Sequence, residues 1–223
     1  MLNLLLHALI VFLDVCPAWL RGAVAAGSAW LAVGLTLRTA QTARCNLAAC
    51  YPDLSEREVS ALTRAVLRHA VLLVFDTATA WLRDPQSVLT MIDRVEGETA
   101  VEAARQRGRP VVFVLPHLGN WELINHYLGA RYGLTHMYQA ARRPWLDRFV
   151  QSRRARTGTR FVPADRSGVR AQIEALRAGG CIGTMADQEP TVHDGTFAPY
   201  FGHACWTGTL APTLARKADA AVV

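Results

Sequence analysis

The run Val111-Val112-Phe113-Val114-Leu115, apolar throughout and stopped by Pro116, most narrows what this chain can fold into. It is too short to span a bilayer and lacks the polar alternation of a half-exposed strand. It therefore reads as a strand buried on both faces. Such strands belong to parallel sheets covered by helices, and parallel pairing requires a crossover between successive strands. The flanking sequence supplies these crossovers. A helix over 99–106 leads through Gly108 into the run, 121–131 reads as a helix closed by Tyr132-Gly133, and a strand over 135–139 follows. Pro144 opens a helix reaching 156, a short strand covers 160–162, and a helix over 167–178 is stopped by Gly179-Gly180 before the apolar strand 181–186. A last helix is expected over 208–216, with a strand beginning in 220–223. Strand and helix in turn predict an α/β fold, a largely parallel or mixed sheet flanked by helices.

Chemistry is expected where the first strand ends. His117 follows Pro116 and so lies outside the carboxyl end of a strand, the usual ligand crevice of such sheets. Glu122 stands five residues later. On one helix the two side chains would point about 140° apart, so they meet only if His117 sits in the loop and Glu122 in the first helical turn. A carboxylate on one imidazole nitrogen fixes the tautomer and leaves the other free to take a proton from a hydroxyl. Backbone amides near Gly119, with Asn120 beside it, are candidates for stabilising an oxyanion. The strand over 181–186 ends in Asp187-Gln188-Glu189-Pro190, a second acidic cluster in an equivalent place. Those residues suit substrate orientation, metal binding or an ordinary turn cap.

The front of the chain is different in character. Hydrophobic residues make up 51% of the 223, and the excess gathers in 1–13 and 22–37, neither containing a charged residue. A helix from about Val15 to Leu37 would be long enough to cross a bilayer, and either segment could lie in the interface instead. Residues 1–40 are thus expected to anchor the chain to a membrane, 41–95 to form a helical lead-in, and 96–223 to form the α/β domain. Arg38, Arg44 and Arg57 follow the anchor whereas 1–13 hold no Lys or Arg, which puts the remainder on the cytoplasmic side. Ser55 with Glu58 makes a capping box for a long helix whose core positions are expected at Val59, Leu62, Val66, Ala70 and Leu73, ending at the Arg83-Asp84-Pro85 break.

Net charge is +6, carried almost wholly by arginine, which suits phosphate groups or an anionic membrane surface. No interleaved basic and aromatic stripe points to nucleic acid. Cys16, Cys45, Cys50, Cys181 and Cys205 are odd in number and contain no Cys-x-x-Cys pair, which argues against a disulfide framework or a zinc site.

Several segments together carry a resemblance: Cys45-Asn46-Leu47-Ala48-Ala49-Cys50-Tyr51-Pro52-Asp53-Leu54-Ser55, Pro116 to Glu122 in the His-x4-Asp/Glu form, Pro144-Trp145-Leu146-Asp147, Asp187 to Pro190, and Gly195 to Gly202. In this order they resemble the bacterial lipid A biosynthesis acyltransferases, the late lauroyl and myristoyl transferases of the glycerolipid acyltransferase superfamily, over nearly the whole chain. The resemblance implies a glycerol-3-phosphate-acyltransferase-like fold at the bacterial inner membrane. It implies transfer of a fatty acyl group from acyl carrier protein to a hydroxyl on a phosphorylated, Kdo-bearing glucosamine lipid, without a cofactor. By position, His117 would be the general base, Glu122 its partner, Arg154 and Arg156 phosphate contacts, and Asp187 the acidic site residue. Tyr138-Gln139-Ala140 departs from the relatives' Tyr-Arg-Pro, and Glu189 stands where many have aspartate. The family's carboxyl-terminal part is expected to be missing. Another membrane lipid as acceptor (a lysophospholipid, a phosphatidylinositol mannoside or another glycolipid), thioester hydrolysis, or lipid binding without catalysis are the competing readings.

Overall fold

Apolar strands with no polar face must be covered on both sides, and the sheet is built accordingly. The computed structural model describes residues 2–223, with side chains from Leu5 onward. Strand β1 (Val111–Leu115) pairs in parallel with β4 (Cys181–Met185) on one side and β7 (Ala221–Val222) on the other. Strand β2 (Leu134–Tyr138) pairs in parallel with β4 and with β3 (Arg160–Pro163), giving the order β3-β2-β4-β1-β7. On one face Val111, Phe113, Leu134 and Cys181 pack with Val101, Leu128 and Tyr132 from helices α6 (Glu98–Gln106) and α7 (Trp121–Tyr132). On the other, Val112 and Ile182 pack with Leu176 and Leu214 from α9 (Arg166–Arg177) and α10 (Leu210–Ala218). Fully burying each such aliphatic side chain contributes about 1.5–3 kcal/mol. The fold is α/β, as the alternation of elements predicts, with boundaries that differ from expectation by one or two residues.

Close packing of α9 on β3 depends on one glycine. Asp165 caps α9 by accepting from the amides of Ser167 at 2.7 Å and Gly168 at 3.2 Å, which draws the helix start onto Pro163. A Cβ at position 168 would overlap the Pro163 carbonyl oxygen. Gly168→Ala is therefore expected to destabilise this unit by about 1–3 kcal/mol, the usual cost of overpacking. An unchanged urea midpoint would contradict it.

Residues 195–208 hold structure that the sequence reading names only as a motif. Strands β5 (Gly195–Tyr200) and β6 (His203–Gly208) form a two-stranded hairpin whose turn residues Phe201 and Gly202 have φ of 48° and 77°. Positive φ at both turn positions matches the twist of paired strands. Neither strand has a buried residue and β5 contains Pro199, so neither alternation nor an apolar run marked them.

The chain divides into two compact units, one comprising the residues through Leu82 together with Pro199–Ala204, the other the α/β remainder. The first consists of α1 (Leu2–Val15), α2 (Ala18–Gly34), α3 (Arg38–Cys50) and α4 (Glu56–Leu82), with α1, α2 and α3 each packed on α4. The capping box forms: the Ser55 amide and hydroxyl donate to Glu58 Oε2 at 2.8 and 2.6 Å. The continuous helix expected from Val15 to Leu37 does not form. Pro17 lacks the amide to continue a helix, so α1 and α2 meet there at 110°, and α2 ends before Thr36, whose φ is 47°. The core of α4 also differs from expectation. Val59 is buried and Leu62 and Leu73 half-buried, but Val66 and Ala70 are exposed. The covered face is instead set by Thr63, Phe75 and Ala78, and the Thr63 hydroxyl is satisfied by the Val59 carbonyl at 2.8 Å. Among the described residues α4 is the one single helix long and apolar enough to cross a membrane, and 22% of its most apolar window is buried.

Candidate active site

Parallel register puts two distant loops side by side. Leu115 pairs with Met185 at the carboxyl ends of β1 and β4, so the residue two positions beyond each, His117 and Asp187, emerges at the same edge. The His117 amide donates to Asp187 Oδ2 at 2.6 Å, and the His117 ring meets Asp187 Oδ1 through Nδ1 at 2.8 Å. A carboxylate can only accept, so Nδ1 carries the hydrogen, and in the neutral ring Nε2 is the nitrogen with the lone pair. The Gln188 amide nitrogen lies 3.4 Å from Nε2. The largest single influence on the Asp187 carboxyl is partial burial, which pushes its pKa up. The two hydrogen bonds from His117 and the imidazole charge together outweigh that and hold it below the usual carboxylate range.

Glu122 does not pair with His117, which corrects the expectation from spacing. It lies one residue into α7, is fully buried, and accepts from Arg154 Nη2 at 2.5 Å and from Arg154 Nε at 3.1 and 3.2 Å. Arg154 closes helix α8 (Pro144–Arg154), and its guanidinium lies between the rings of Trp121 and Phe161 at 5.0 and 5.1 Å. Its side chain is 11% exposed. A cation held this way braces α8 against α7, and Arg154 also forms part of the lining of the cleft beside His117.

The remaining expected site residues divide similarly. Asn120 accepts from the Leu123 amide at 3.1 Å and so caps α7, while Gly119, at φ 60°, lets the chain turn from strand to helix. Arg156 donates to the Arg83 carbonyl at 3.2 Å. It does not line the cleft beside His117.

That cleft, of about 380 Å³, mixes apolar residues, Trp121, Met137, Phe161, Met185 and Leu210 among them, with polar ones that include His117, Asn125, His136 and Arg154. Two of the polar residues escaped the sequence reading, Asn125 on α7 and His136 on β2. His136 Nδ1 lies 2.6 Å from Asn125 Oδ1, and the imidazole stacks on Phe161 at 5.8 Å. Burial foremost, then the charges of Arg154 and His117, lower the His136 pKa to about 4, so it is neutral near pH 7. A histidine inside a short strand gives no sequence signal of such a place. Among the described residues, no three His, Cys, Asp or Glu side chains cluster in a way that could hold a metal ion.

A base nitrogen in a cleft that presents both apolar and hydrogen-bonding side chains suits removal of a proton from a lipid hydroxyl, and comparison with known proteins points the same way. The chain is 28% identical over 177 residues to a lipid A biosynthesis acyltransferase of Haemophilus influenzae, covering 78% of this chain and 55% of the relative. It is 26% identical over 197 residues to the lipid A biosynthesis palmitoleoyltransferase of Escherichia coli K12, covering 82% and 63%. It is also 26% identical over 174 residues to the lipid A biosynthesis myristoyltransferase of that strain, covering 77% and 52%. The alignments thus take in a little over half the length of these relatives. Since the model of the bacterial lipid A biosynthesis acyltransferases matches residues 2–223, with the His117 tract and the Asp187 strand end inside the match, the chain belongs to that family.

Proposed function

We propose that this chain belongs to an O-acyltransferase that moves a fatty acyl group from acyl carrier protein to a hydroxyl of a lipid A precursor. The observation that carries the reading is His117 Nε2, oriented by Asp187 through Nδ1, in the lining of a cleft that also presents Trp121, Met137, Phe161 and Leu210. In this mechanism Nε2 takes the hydroxyl proton as the oxygen attacks the thioester carbonyl. The resulting oxyanion collapses, the carbon–sulfur bond breaks, and the imidazolium returns the proton to the departing thiolate. The thioester is already activated, so no enzyme-bound acyl intermediate is needed. Asp187 fixes the tautomer and stabilises the imidazolium, a role that spacing alone suggested for Glu122.

Membrane attachment is part of the same proposal. Trp19 is 74% exposed and Trp30 65%, with Leu5, Phe12, Leu31 and Val74 also exposed on the first unit, a surface suited to the lipid interface. The cytoplasmic side is where the carrier-bound donor would be met.

The test is to incubate the purified chain in mixed micelles with acyl-acyl carrier protein, with and without Kdo-bearing tetraacylated glucosamine lipid, and to follow products by mass spectrometry. Addition of one acyl mass to the lipid, dependent on both substrates, is expected. Acylation of a lysophospholipid instead would move the acceptor. Release of free fatty acid at the same rate without acceptor would make the chain a thioesterase.

A further inference from the structure

Among the buried polar residues lining the cleft, the mechanism above uses neither Asn125 nor His136. Asn125 is 1% exposed and lines the cleft, and its Nδ2 has no hydrogen-bond partner among the described residues. A buried donor left unmade costs about 1–3 kcal/mol, so a group that supplies its partner gains by binding there. His136, 3% exposed, is held beside it by three features: the bond to Asn125, the stack on Phe161, and a slot in the adjoining strand. Gly183 makes that slot, because a Cβ there would stand 3.2 Å from His136 Cγ and Nδ1. No hydrogen bond to His136 Nε2 is found among the described residues.

The pair offers the cleft at least one donor and one acceptor whichever way its hydrogens are assigned. If Nδ1–H donates to Asn125 Oδ1, the free groups are the two amide N–H and the Nε2 lone pair. If the amide is turned, one N–H donates to Nδ1, and the free groups are Asn125 Oδ1, the second amide N–H and Nε2–H. An anion would match the donors alone and leave the acceptor unpaired. A neutral group that both gives and takes one hydrogen bond matches both.

Building on the acyltransferase reading, we propose that Asn125 and His136 together seat a hydroxyl or secondary amide of the acceptor lipid, and so position its reacting hydroxyl at His117. They act on binding of the acceptor and do not touch the reacting bond. An acceptor with such a group near its reactive hydroxyl is selected over one with only hydrocarbon there.

His136→Phe keeps an aromatic ring for the stack on Phe161 while removing both of the imidazole's hydrogen bonds. In the same micellar assay its KM for the glucosamine lipid acceptor is expected to rise about tenfold or more, the worth of one to two neutral hydrogen bonds. The KM for acyl-acyl carrier protein should stay within about twofold and kcat within about threefold, and His136→Gln should recover part of the loss. Asn125→Asp removes the amide donor at constant shape and is expected to raise the same KM, which keeps the test alive if His136→Phe does not fold. An unchanged acceptor KM in a folded variant, or a loss confined to kcat or to the donor KM, overturns the subsite. If wild-type protein transfers no acyl group at all, the reaction assignment falls first. Transfer by wild type with an unchanged acceptor KM in the variants removes the subsite alone.

Discussion

His117→Ala is expected to lower the acyl transfer rate by about 10³-fold or more, within the range of 10²–10⁴ that a positioned proton-transfer group contributes. The ring is about one-third exposed at the cleft mouth, so folding should be little affected, and a thermal melt can verify this. Asp187→Asn should cost roughly 10²-fold or more, because one amide oxygen cannot accept from both the His117 backbone N–H and the ring Nδ1–H, and the imidazolium loses its charge partner. Both losses should fall on kcat with the acceptor KM nearly unchanged. Full activity in His117→Ala would end the base assignment. The pH dependence follows from the carboxyl. Its folded pKa lies below the ordinary value, so its bonds to His117 are intact above about pH 4, the usual range for a free aspartate. They are lost only as pH falls through the lower folded value. An acid limb near or above neutrality would therefore not come from Asp187.

Arg154→Ala is expected to act on stability first, by about 3–5 kcal/mol, since it strands a fully buried carboxylate without its counter-ion. For a chain of this size that corresponds to a fall of roughly 6–20 °C in melting midpoint. The companion double variant, Glu122→Leu with Arg154→Met, replaces both charges with apolar groups of similar reach. It should recover most of the loss, because a buried ion pair and its apolar substitute are often nearly equal in free energy. The opposite pattern, an unchanged midpoint with a raised acceptor KM, would return Arg154 to the phosphate-binding role its resemblance implies. The pairing also bears on Glu122: its substitution should fail by unfolding, whereas substitution of Asp187 should fail by catalysis. Denaturation curves alongside activity separate the two.

Much of the α/β unit was legible locally. The apolar runs at 111 and 181, the glycines at 179 and 180, and the proline at 144 each act within a few residues, and the elements formed where they pointed. The hairpin at 195–208 was not legible, because strands with no buried face carry no alternating pattern to find. Nor were the helix break at Pro17 or the exposed Val66: the first needed weight given to one residue over an apolar run, the second knowledge of which face other helices cover.

The site divides along the same line. By itself the sequence determined that His117 ends a buried strand, that Asp187 ends another, and that a helix opens at Trp121, since proline, apolar pattern and capping residues act through local backbone geometry. Which carboxylate meets the imidazole was decided only by tertiary structure. Strand order made β1 and β4 neighbours in register, so residues 70 positions apart came within 2.8 Å. Glu122, five residues from His117, was turned by its helix into the core against Arg154.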